Sequence, residues 1–180
     1  MRGHRLQTSV LELAHSEALF AMLGRCSPHA LYGRFHGVTD GTFYADKVLA
    51  AAPCGDSFVA WNGDTCVGLG NTHVDGDTAD VGILVEDAWQ RRGAGTALLI
   101  AVLQRVHERG SRFLRADVLE ESRFVLQVLA RLGSATTSLT TGCYTTLVDL
   151  GVKPIYGQNL VQPNSLPSGC VRRPRAGLAR

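Results

Sequence analysis

The sequence predicts a mixed α/β fold in which helices flank a central, mostly antiparallel sheet. Three observations predict it: helical periodicity over residues 14–53, a meander of alternating strands over 57–86, and an alternation of strand and helix up to residue 150. Elements in this order pack as layers around a shared core. A chain of 180 residues is long enough to form one such domain.

Three helices are predicted in the N-terminal part, after a short strand over "RLQTSVLEL". The first covers "AHSEALFAMLGRCSP", where large apolar residues cluster on one side and Gly24 and Pro28 end the pattern. The pair Ser27-Pro28 starts the second helix over "HALYGRF", because proline suits the first turn. The third covers "DGTFYADKVLAAAP" and stops at Pro53.

Two turn motifs divide the next segment into three strands. "NGD" at 62–64 accepts the positive φ of a hairpin turn, and "DGD" at 75–77 forms the second turn. The third strand, 79–86, places alternate side chains on opposite faces of the sheet. One face receives Asp80, Gly82, Leu84 and Glu86, and the other receives Val81, Ile83 and Val85.

The C-terminal half continues with a long amphipathic helix over 94–108, a strand over 113–119 and a helix over 120–133. The β-branched segment that follows predicts one or two final strands, so that the domain spans 1–150. From 151 to 180 proline and glycine recur and arginine accumulates. This composition predicts a mobile tail, with a partner-binding arm as the alternative.

Composition limits the functions that the chain can have. Hydrophobic residues make up 45% and charged residues 19%, values typical of a globular protein, and a net charge of +2 does not indicate nucleic-acid binding. No apolar run approaches the ~20 residues that span a bilayer, and "MRGHRLQTSV" lacks the apolar region of a signal peptide. We therefore expect a cytoplasmic protein without a membrane partner. Five widely spaced cysteines without a C-x-x-C pair predict neither a metal site nor a disulfide framework.

The segment "QRRGAG" joins the third strand of the meander to the long helix. A helix N-terminus leaves backbone N–H groups unpaired and carries about half a positive charge. Gly93 and Gly95 remove the β-carbons that would keep an anion at a distance, and Gln90, Arg91 and Arg92 add side-chain donors. This segment therefore predicts a phosphate site, and most simply a diphosphate site.

Two common nucleotide motifs do not fit this segment. A P-loop needs a longer glycine spacing that ends in lysine, and no lysine lies here. A dinucleotide fold needs a third glycine and a first strand before it, whereas "GAGTAL" lacks that glycine and follows a meander.

The same residues resemble the Q/R-x-x-G-x-G/A signature of the GCN5-related N-acetyltransferase (GNAT) family, and the resemblance extends over residues 57–150. It implies a GNAT fold with a splayed strand pair at an acetyl-CoA site, with acetyl-CoA as cosubstrate. It also implies that free backbone amides of the third meander strand meet the pantetheine arm and thioester, and that the turn binds the diphosphate. The cofactor-binding residues implied are Ile83, Leu84, Val85, Gln90, Arg91, Arg92, Gly93, Ala94, Gly95, Thr96 and Ser122.

A second resemblance lies upstream. "SPHALYGRFHG" is similar to the "SPESRYRRFFG" type of segment in the acetyltransferase domains of bacterial protein-lysine acetyltransferases. It indicates a subfamily and leaves the acceptor open between a protein lysine and a small-molecule amine. The sequence fixes no oligomeric state and leaves a homodimer open.

Acetyl transfer to an amine requires that the amine lose its proton, and two carboxylates are candidates for this step. Asp80 lies on the strand that would bind the thioester, at a position where many members of the family carry glutamate. It can relay the proton through water, and the alternative is a solvated acid at the edge of the strand. Asp117, on the following strand, is the second candidate. His73 is interpreted as structural or solvated, with a place at the border of the acceptor pocket as the alternative, and Cys143 as an inert thiol without a paired base.

The general acid of the family is missing. Many members carry tyrosine in the helix after the fifth strand, where this sequence has Leu129 and, at the family's asparagine position, Ser122. Tyr144 is one alternative, although its β-rich surroundings favour a packing role. A thiolate with a thiol pKa of about 8.5 can also leave without an acid. We therefore predict an N-acetyltransferase that uses direct transfer to a primary amine, or alternatively a CoA-binding regulatory or sensor domain.

Overall fold

A seven-stranded sheet carries the fold in the computed structural model, which describes residues 6–37 and 41–151. The mixed α/β architecture confirms the predicted fold class. The strands are β1 Leu6–Val10, β2 Ser57–Asn62, β3 Thr65–Asp75, β4 Thr78–Val85, β5 Phe113–Leu119, β6 Ser134–Thr140 and β7 Cys143–Asp149. The α-helices are α1 Ser16–Leu23, α2 Pro28–Phe35, α3 Thr42–Ala50, α4 Ala94–Glu108 and α5 Phe124–Leu129.

The strands lie in the order β1-β2-β3-β4-β5-β7-β6, and β4 and β5 are parallel neighbours in an otherwise antiparallel sheet. This parallel pairing is short. It joins Thr78, Ala79 and Asp80 to Phe113, Leu114 and Arg115, and then the two strands diverge. Residues 81–85 of β4 keep their pairing with β3 but have no partner on β5. The predicted splayed strand pair is therefore present.

The two faces of β4 pack against different helices, as the alternation predicted. Leu84 is 2% exposed and joins a core cluster with residues of α1, α2 and α3. Val81, Ile83 and Val85 pack on the opposite side, in the cluster that includes Leu98 of α4. We call these two sides the α1–α3 face and the α4 face.

Local sequence signals account for the two helices that border the splayed strands. The Ser27 side chain caps α2 by accepting a hydrogen bond from the N–H of Ala30, and Pro28 occupies the first turn. α4 begins at Ala94 and ends at Glu108, the predicted bounds. Its apolar stripe is buried, with Leu98, Val102 and Val106 each 0% exposed.

The segment after β5 differs from the prediction. Instead of a helix over 120–133, a 3-10 turn covers Glu120–Ser122 and α5 covers only Phe124–Leu129. A β-carbon at Gly133 would overlap the carbonyl group of Asp149, so β7 occupies the space into which a longer helix would run. Two final strands follow, and β7 lies between β5 and the edge strand β6.

Three other predictions concern the periphery of the fold. The predicted tail, apart from Gly151, lies outside the described residues. Cys54 is disulfide-bonded, contrary to the expectation from the cysteine spacing. Within residues 6–37 and 41–151, no helix is both long and apolar enough to cross a membrane.

We predict that Leu98→Ala lowers the free energy of unfolding by about 2–5 kcal/mol, because it leaves a cavity in the core between α4 and the sheet. Leu139→Ala serves as a control, since Leu139 on the edge strand is 55% exposed and its truncation is expected to cost less than about 0.5 kcal/mol. Urea unfolding followed by circular dichroism measures both changes. Equal losses in the two variants would contradict the assigned core.

Candidate active site

A side-chain hydrogen bond attaches the turn between β4 and α4 to the end of β4. The Gln90 side chain donates a hydrogen bond from Nε2 to the carbonyl of Val85 at 3.2 Å. Arg91 and Gly93 both have left-handed backbone conformations, with φ of 57° and 94°. Left-handed backbone conformations are unusual for arginine, whereas glycine adopts them readily. The conformation of Arg91 therefore points to a functional role for this turn.

The start of α4 presents backbone donors. Gly93 at the N-cap position has no side chain to cap the helix, and the N–H of Ala97 bonds to the carbonyl of Gly93 at 2.9 Å. The N–H groups of Ala94, Gly95 and Thr96 precede this ladder and have no carbonyl partner within the helix. Together with the positive end of the helix dipole, they form a site for an anion.

Space and charge around this helix start favour a diphosphate. Arg91 and Arg92 are exposed, and the Arg92 guanidinium carbon lies 5.6 Å from the centre of the Trp89 ring. A β-carbon built at Gly95 would meet nothing nearer than a methyl group of Val85 at 3.6 Å. The backbone is therefore approachable from the side on which the two strands diverge.

Two polar contacts attach this turn to the loop between α1 and α2. Arg25 donates to Oε2 of Glu86 at 2.9 Å and to the carbonyl of Cys66 at 2.7 Å. The hydrogen bond to the Glu86 carboxylate raises the pKa of Arg25, against the opposing effect of burial. Glu86 itself is only 8% exposed. This ion pair therefore joins the end of β4 to the N-terminal helices.

The second contact involves Asp87 and the cap of α2. The backbone N–H and the hydroxyl of Ser27 donate to the two carboxylate oxygens of Asp87 at 2.8 and 2.7 Å. Burial acts to raise the pKa of Asp87, but the hydrogen bonds from Ser27 outweigh it and the pKa is lowered. The same serine hence caps α2 and fixes that helix to the turn before α4.

The first predicted catalytic carboxylate, Asp80, lies where β4 and β5 part. Both of its oxygens accept hydrogen bonds from Arg115, with Nη2 at 2.6 Å from Oδ2 and Nε on Oδ1. This bond to Asp80 raises the pKa of Arg115. About a third of the Asp80 side chain remains exposed, so a water molecule can still reach it.

The second predicted carboxylate, Asp117, is exposed on β5 and accepts a hydrogen bond from the hydroxyl of Thr145 at 2.7 Å. It follows Arg115 by two residues, so both side chains project from the α1–α3 face, on which Asp80 also lies. The structure thus brings the two predicted carboxylates to one side of the sheet, around Arg115.

His73 joins this group, and its exposure agrees with the solvated residue that its sequence context suggested. It is exposed on β3 and lies directly opposite Asp80 in the antiparallel register, so the two side chains share a face. The sequence held a usable signal. Counting back from the "DGD" turn, which pairs Asp75 with Thr78, places His73 opposite Asp80.

The residues considered as general acid lie apart from the carboxylates. Leu129, at the position of the family's tyrosine, is 3% exposed and packs in the core beneath α5. Tyr144 packs against the same cluster, on the side of β7 opposite to Thr145. Ser122 is partly exposed in the 3-10 turn after β5. Of these three side chains, Leu129 is buried, whereas Ser122 and Tyr144 are partly exposed.

The free thiols do not offer a nucleophile. Burial raises the pKa of Cys26 to about 12 and that of Cys66 to about 11, and burial also raises the pKa of Cys143. These thiols therefore stay protonated at neutral pH, whereas a nucleophilic cysteine needs its thiolate. In the described part of the chain, no three His, Cys, Asp or Glu side chains form a cluster that could hold a metal ion.

β4 parts from its neighbour and is connected through residues 86–93 to a helix N-terminus without a side-chain cap, an arrangement that suits an elongated ligand with an anionic group. A sequence model described as the acetyltransferase (GNAT) family matches residues 17–133. The chain belongs to this family, whose members are acyl-CoA-dependent acetyltransferases with acetyl-CoA as cosubstrate. The match confirms the predicted family, and a comparison with curated protein sequences finds no significant match.

Solved structures share the fold. The GNAT domain of S. lividans PAT is 21% identical with a TM-score of 0.70, over 81% of this chain and 90% of that one. The PaiA N-acetyltransferase of Thermoplasma acidophilum, in complex with coenzyme A, is 11% identical with a TM-score of 0.64, over 81% and 99%. YncA of Salmonella typhimurium, with its cofactor acetyl-CoA, is 15% identical with a TM-score of 0.62, over 89% and 99%.

We predict that Glu86→Gln lowers stability by about 1–2 kcal/mol, because it removes the charge that Arg25 pairs with at the end of β4. It should also weaken acetyl-CoA binding several-fold, since the turn before α4 loses one of its two attachments. Chemical unfolding and isothermal titration calorimetry measure the two effects. Glu17→Gln, which removes an exposed charge on α1, is the control and should change neither. Unaltered affinity in Glu86→Gln would show that the turn holds its shape without Arg25.

Proposed function

We propose that this protein is an N-acetyltransferase that moves the acetyl group of acetyl-CoA directly to a primary amine. The observation that carries the proposal is the end of β4–β5 pairing at Asp80, followed after the end of β4 by the open helix start at Gly93. In this proposal the backbone of Ile83, Leu84 and Val85 holds the pantetheine arm and thioester.

The diphosphate occupies the turn and helix start. Backbone N–H groups of residues 93–96 supply donors, and Arg91 and Arg92 supply positive charge. Gln90 supports the turn from within, because its amide is bonded to Val85. Ser122, on the β5 side of the divergence, contacts the cofactor arm.

The acceptor amine approaches on the α1–α3 face, where helices leave the sheet open beside β5 and β7. Asp117 is exposed there and Asp80 is partly exposed, and their negative charge favours a cationic amine. Asp80 accepts the amine proton through a water molecule, because Arg115 already occupies both of its oxygens. Each carboxylate oxygen has a second lone pair for that water.

The transfer then needs no covalent enzyme intermediate. The amine nitrogen attacks the thioester carbon, the new C–N bond forms and the C–S bond breaks, and coenzyme A leaves as its thiolate. The raised pKa values of Cys26, Cys66 and Cys143 are consistent with this direct route. The acceptor is either a protein lysine or a small-molecule amine, and the likeness to the GNAT domain of S. lividans PAT motivates including protein lysines.

A second candidate is a CoA-binding sensor without turnover. Two observations favour it: Arg115 occupies both oxygens of Asp80, and Leu129 fills the core at the position where other members carry an acid. A thiol-release assay with acetyl-CoA and a broad panel of amines separates the two. Release that depends on an amine supports the enzyme, and binding of acetyl-CoA without any release supports the sensor.

We predict that Gly95→Leu weakens acetyl-CoA binding at least about tenfold, because its side chain would project from the helix start into the path of the diphosphate. Gly33→Leu is the matched control, since a β-carbon there also meets open space and the residue lies on α2. Calorimetry gives both affinities, and circular dichroism checks that both variants fold. Unchanged affinity in Gly95→Leu would remove the diphosphate from this turn.

We also predict that Asp80→Ala lowers kcat about 10- to 100-fold near pH 7, with the loss shrinking as pH rises towards the pKa of the amine, about 10.4 for lysine. The reason is that alkaline solution supplies the free amine that the carboxylate otherwise generates. Asp64→Ala, at an exposed aspartate in the β2–β3 turn, is the control. A pH–rate profile parallel to that of the wild type would exclude Asp80 from proton transfer.

A further inference from the structure

Arg34, in the last turn of α2, lies directly against β4. A β-carbon built at Gly82 would overlap the carbon and nitrogens of the Arg34 guanidinium, so only glycine at position 82 leaves room for this group. Gly82 lies in the part of β4 that has no partner on β5. The guanidinium is therefore placed on the α1–α3 face, beside the divergence of the two strands.

The surroundings of Arg34 satisfy it incompletely. Nη2 donates to the side-chain oxygen of Asn71 on β3, but Nε is buried without a hydrogen-bond partner. The guanidinium carbon lies 5.2 Å from the ring of Phe35, which stacks on Tyr44 with 4.2 Å between ring centres. An amide oxygen and an aromatic ring compensate a buried cation only in part.

No carboxylate in residues 6–37 and 41–151 forms an ion pair with Arg34, whereas Arg25, Arg105, Arg109, Arg112 and Arg115 all have such partners. Burial lowers the pKa of Arg34 to about 10, which still leaves the group charged at neutral pH. A buried charge without a counter-charge costs several kcal/mol, so its retention calls for an explanation. Arg34 as a whole residue is partly exposed, although its Nε is buried.

The position of Arg34 relative to Asp80, the predicted base, suggests the chemical class of the ligand that binds here. Gly82 follows Asp80 by two residues on the same face of the strand, a separation of roughly 6–7 Å. The guanidinium over Gly82 and the carboxylate of Asp80 thus lie about one strand repeat apart on one face of β4. An acceptor that carries both an amine and a carboxylate would match the two charges.

We propose that Arg34 binds the carboxylate of an amino-carboxylate acceptor and so directs its amine towards Asp80 and the thioester. This inference rests on the proposed function and names its acceptor class. The amine nitrogen forms the amide bond, its proton passes through water to Asp80, and coenzyme A departs from the acetyl carbon. The acceptor's carboxylate is unchanged and ends as part of an N-acetylated amino acid.

The test compares amino acids with their primary amides, each pair assayed at pH values that give equal fractions of free amine. We expect wild-type kcat/KM for the acid to exceed that for the amide at least about tenfold, mostly through KM. Arg34→Met, which keeps the aliphatic part of the side chain and removes the charge, should abolish this ratio, mainly by raising KM for the acid. Arg34→Lys should restore part of the preference.

Two further variants control the experiment. Arg131→Met removes an exposed arginine after α5 and should leave the ratio at the wild-type value. Gly82→Ala displaces the Arg34 guanidinium without removing its charge, so it should lower the ratio even if Arg34→Met does not fold.

The outcomes separate a failure of the Arg34 site from a failure of the proposed function. A wild-type ratio near one, or an equal loss with acids and amides in Arg34→Met, would assign Arg34 to the thioester or to the fold and overturn the proposal. Calorimetry of the same pairs with the CoA-loaded protein adds a readout that needs no turnover. Preferential binding of acids without acetylation supports the Arg34 site and contradicts the enzyme. Acetylation of acids and amides at equal efficiency supports the enzyme and contradicts the Arg34 site.

Discussion

The separation of β4 from β5 is the constraint on which the rest of this structure depends. The pairing of these strands ends with Asp80 and Arg115, and the ion pair between them occupies the point of divergence. Beyond this point the edge of β4 that faces β5 lacks a ladder partner, so its backbone polar groups are open to other partners. In the proposed function a ligand that lies along the strand supplies those partners, and a turn connects the strand to the open N-terminus of α4.

The contacts around Glu86 and Asp87 couple this cofactor side to the acceptor side. Arg25 and Ser27, in the loop between α1 and α2, hold the turn before α4, and Ser27 also caps α2. α2 is therefore oriented by the residues that shape the diphosphate turn. Because Arg34 lies at the far end of this short helix, its place over Gly82 depends on the same contacts. The resemblance in "SPHALYGRF" thus has a physical basis in a capped helix that presents an arginine.

The parts of the fold that were predictable from sequence are those with local causes. The apolar stripe and flanking glycines set the bounds of α4, and alternation alone assigned the two faces of β4. The position of β7 between β5 and β6 has no local signal, because strand order depends on contacts between distant segments. For the same reason the helix over 120–133 was predicted too long, since the backbone at Asp149 that limits it comes later in the chain.

In the candidate site, too, features with local causes were predictable and features that depend on contacts between distant segments were not. The open helix start at Gly93 was predictable, because helix geometry leaves backbone donors unpaired wherever a strand is connected through glycine to a helix. The pairing of Asp80 with Arg115 was not, since it depends on which strand becomes the parallel neighbour of β4. Arg34 was missed for a related reason. The alternation showed a glycine on the α1–α3 face, but only the fold shows that a side chain from α2 fills the space above it.

In the proposed reaction, the charges on the α1–α3 face separate the task of binding the acceptor from that of removing its proton. Arg115 offsets the charge of Asp80, while Arg34 adds a positive charge about one strand repeat away. An acceptor with its own carboxylate would compensate Arg34 when it binds, so the charge of Arg34 would contribute to binding and not to proton removal. The proton of its amine would then pass through water to Asp80. In this proposal Arg34 acts on the carboxylate end of the acceptor and Asp80 acts on the amine end.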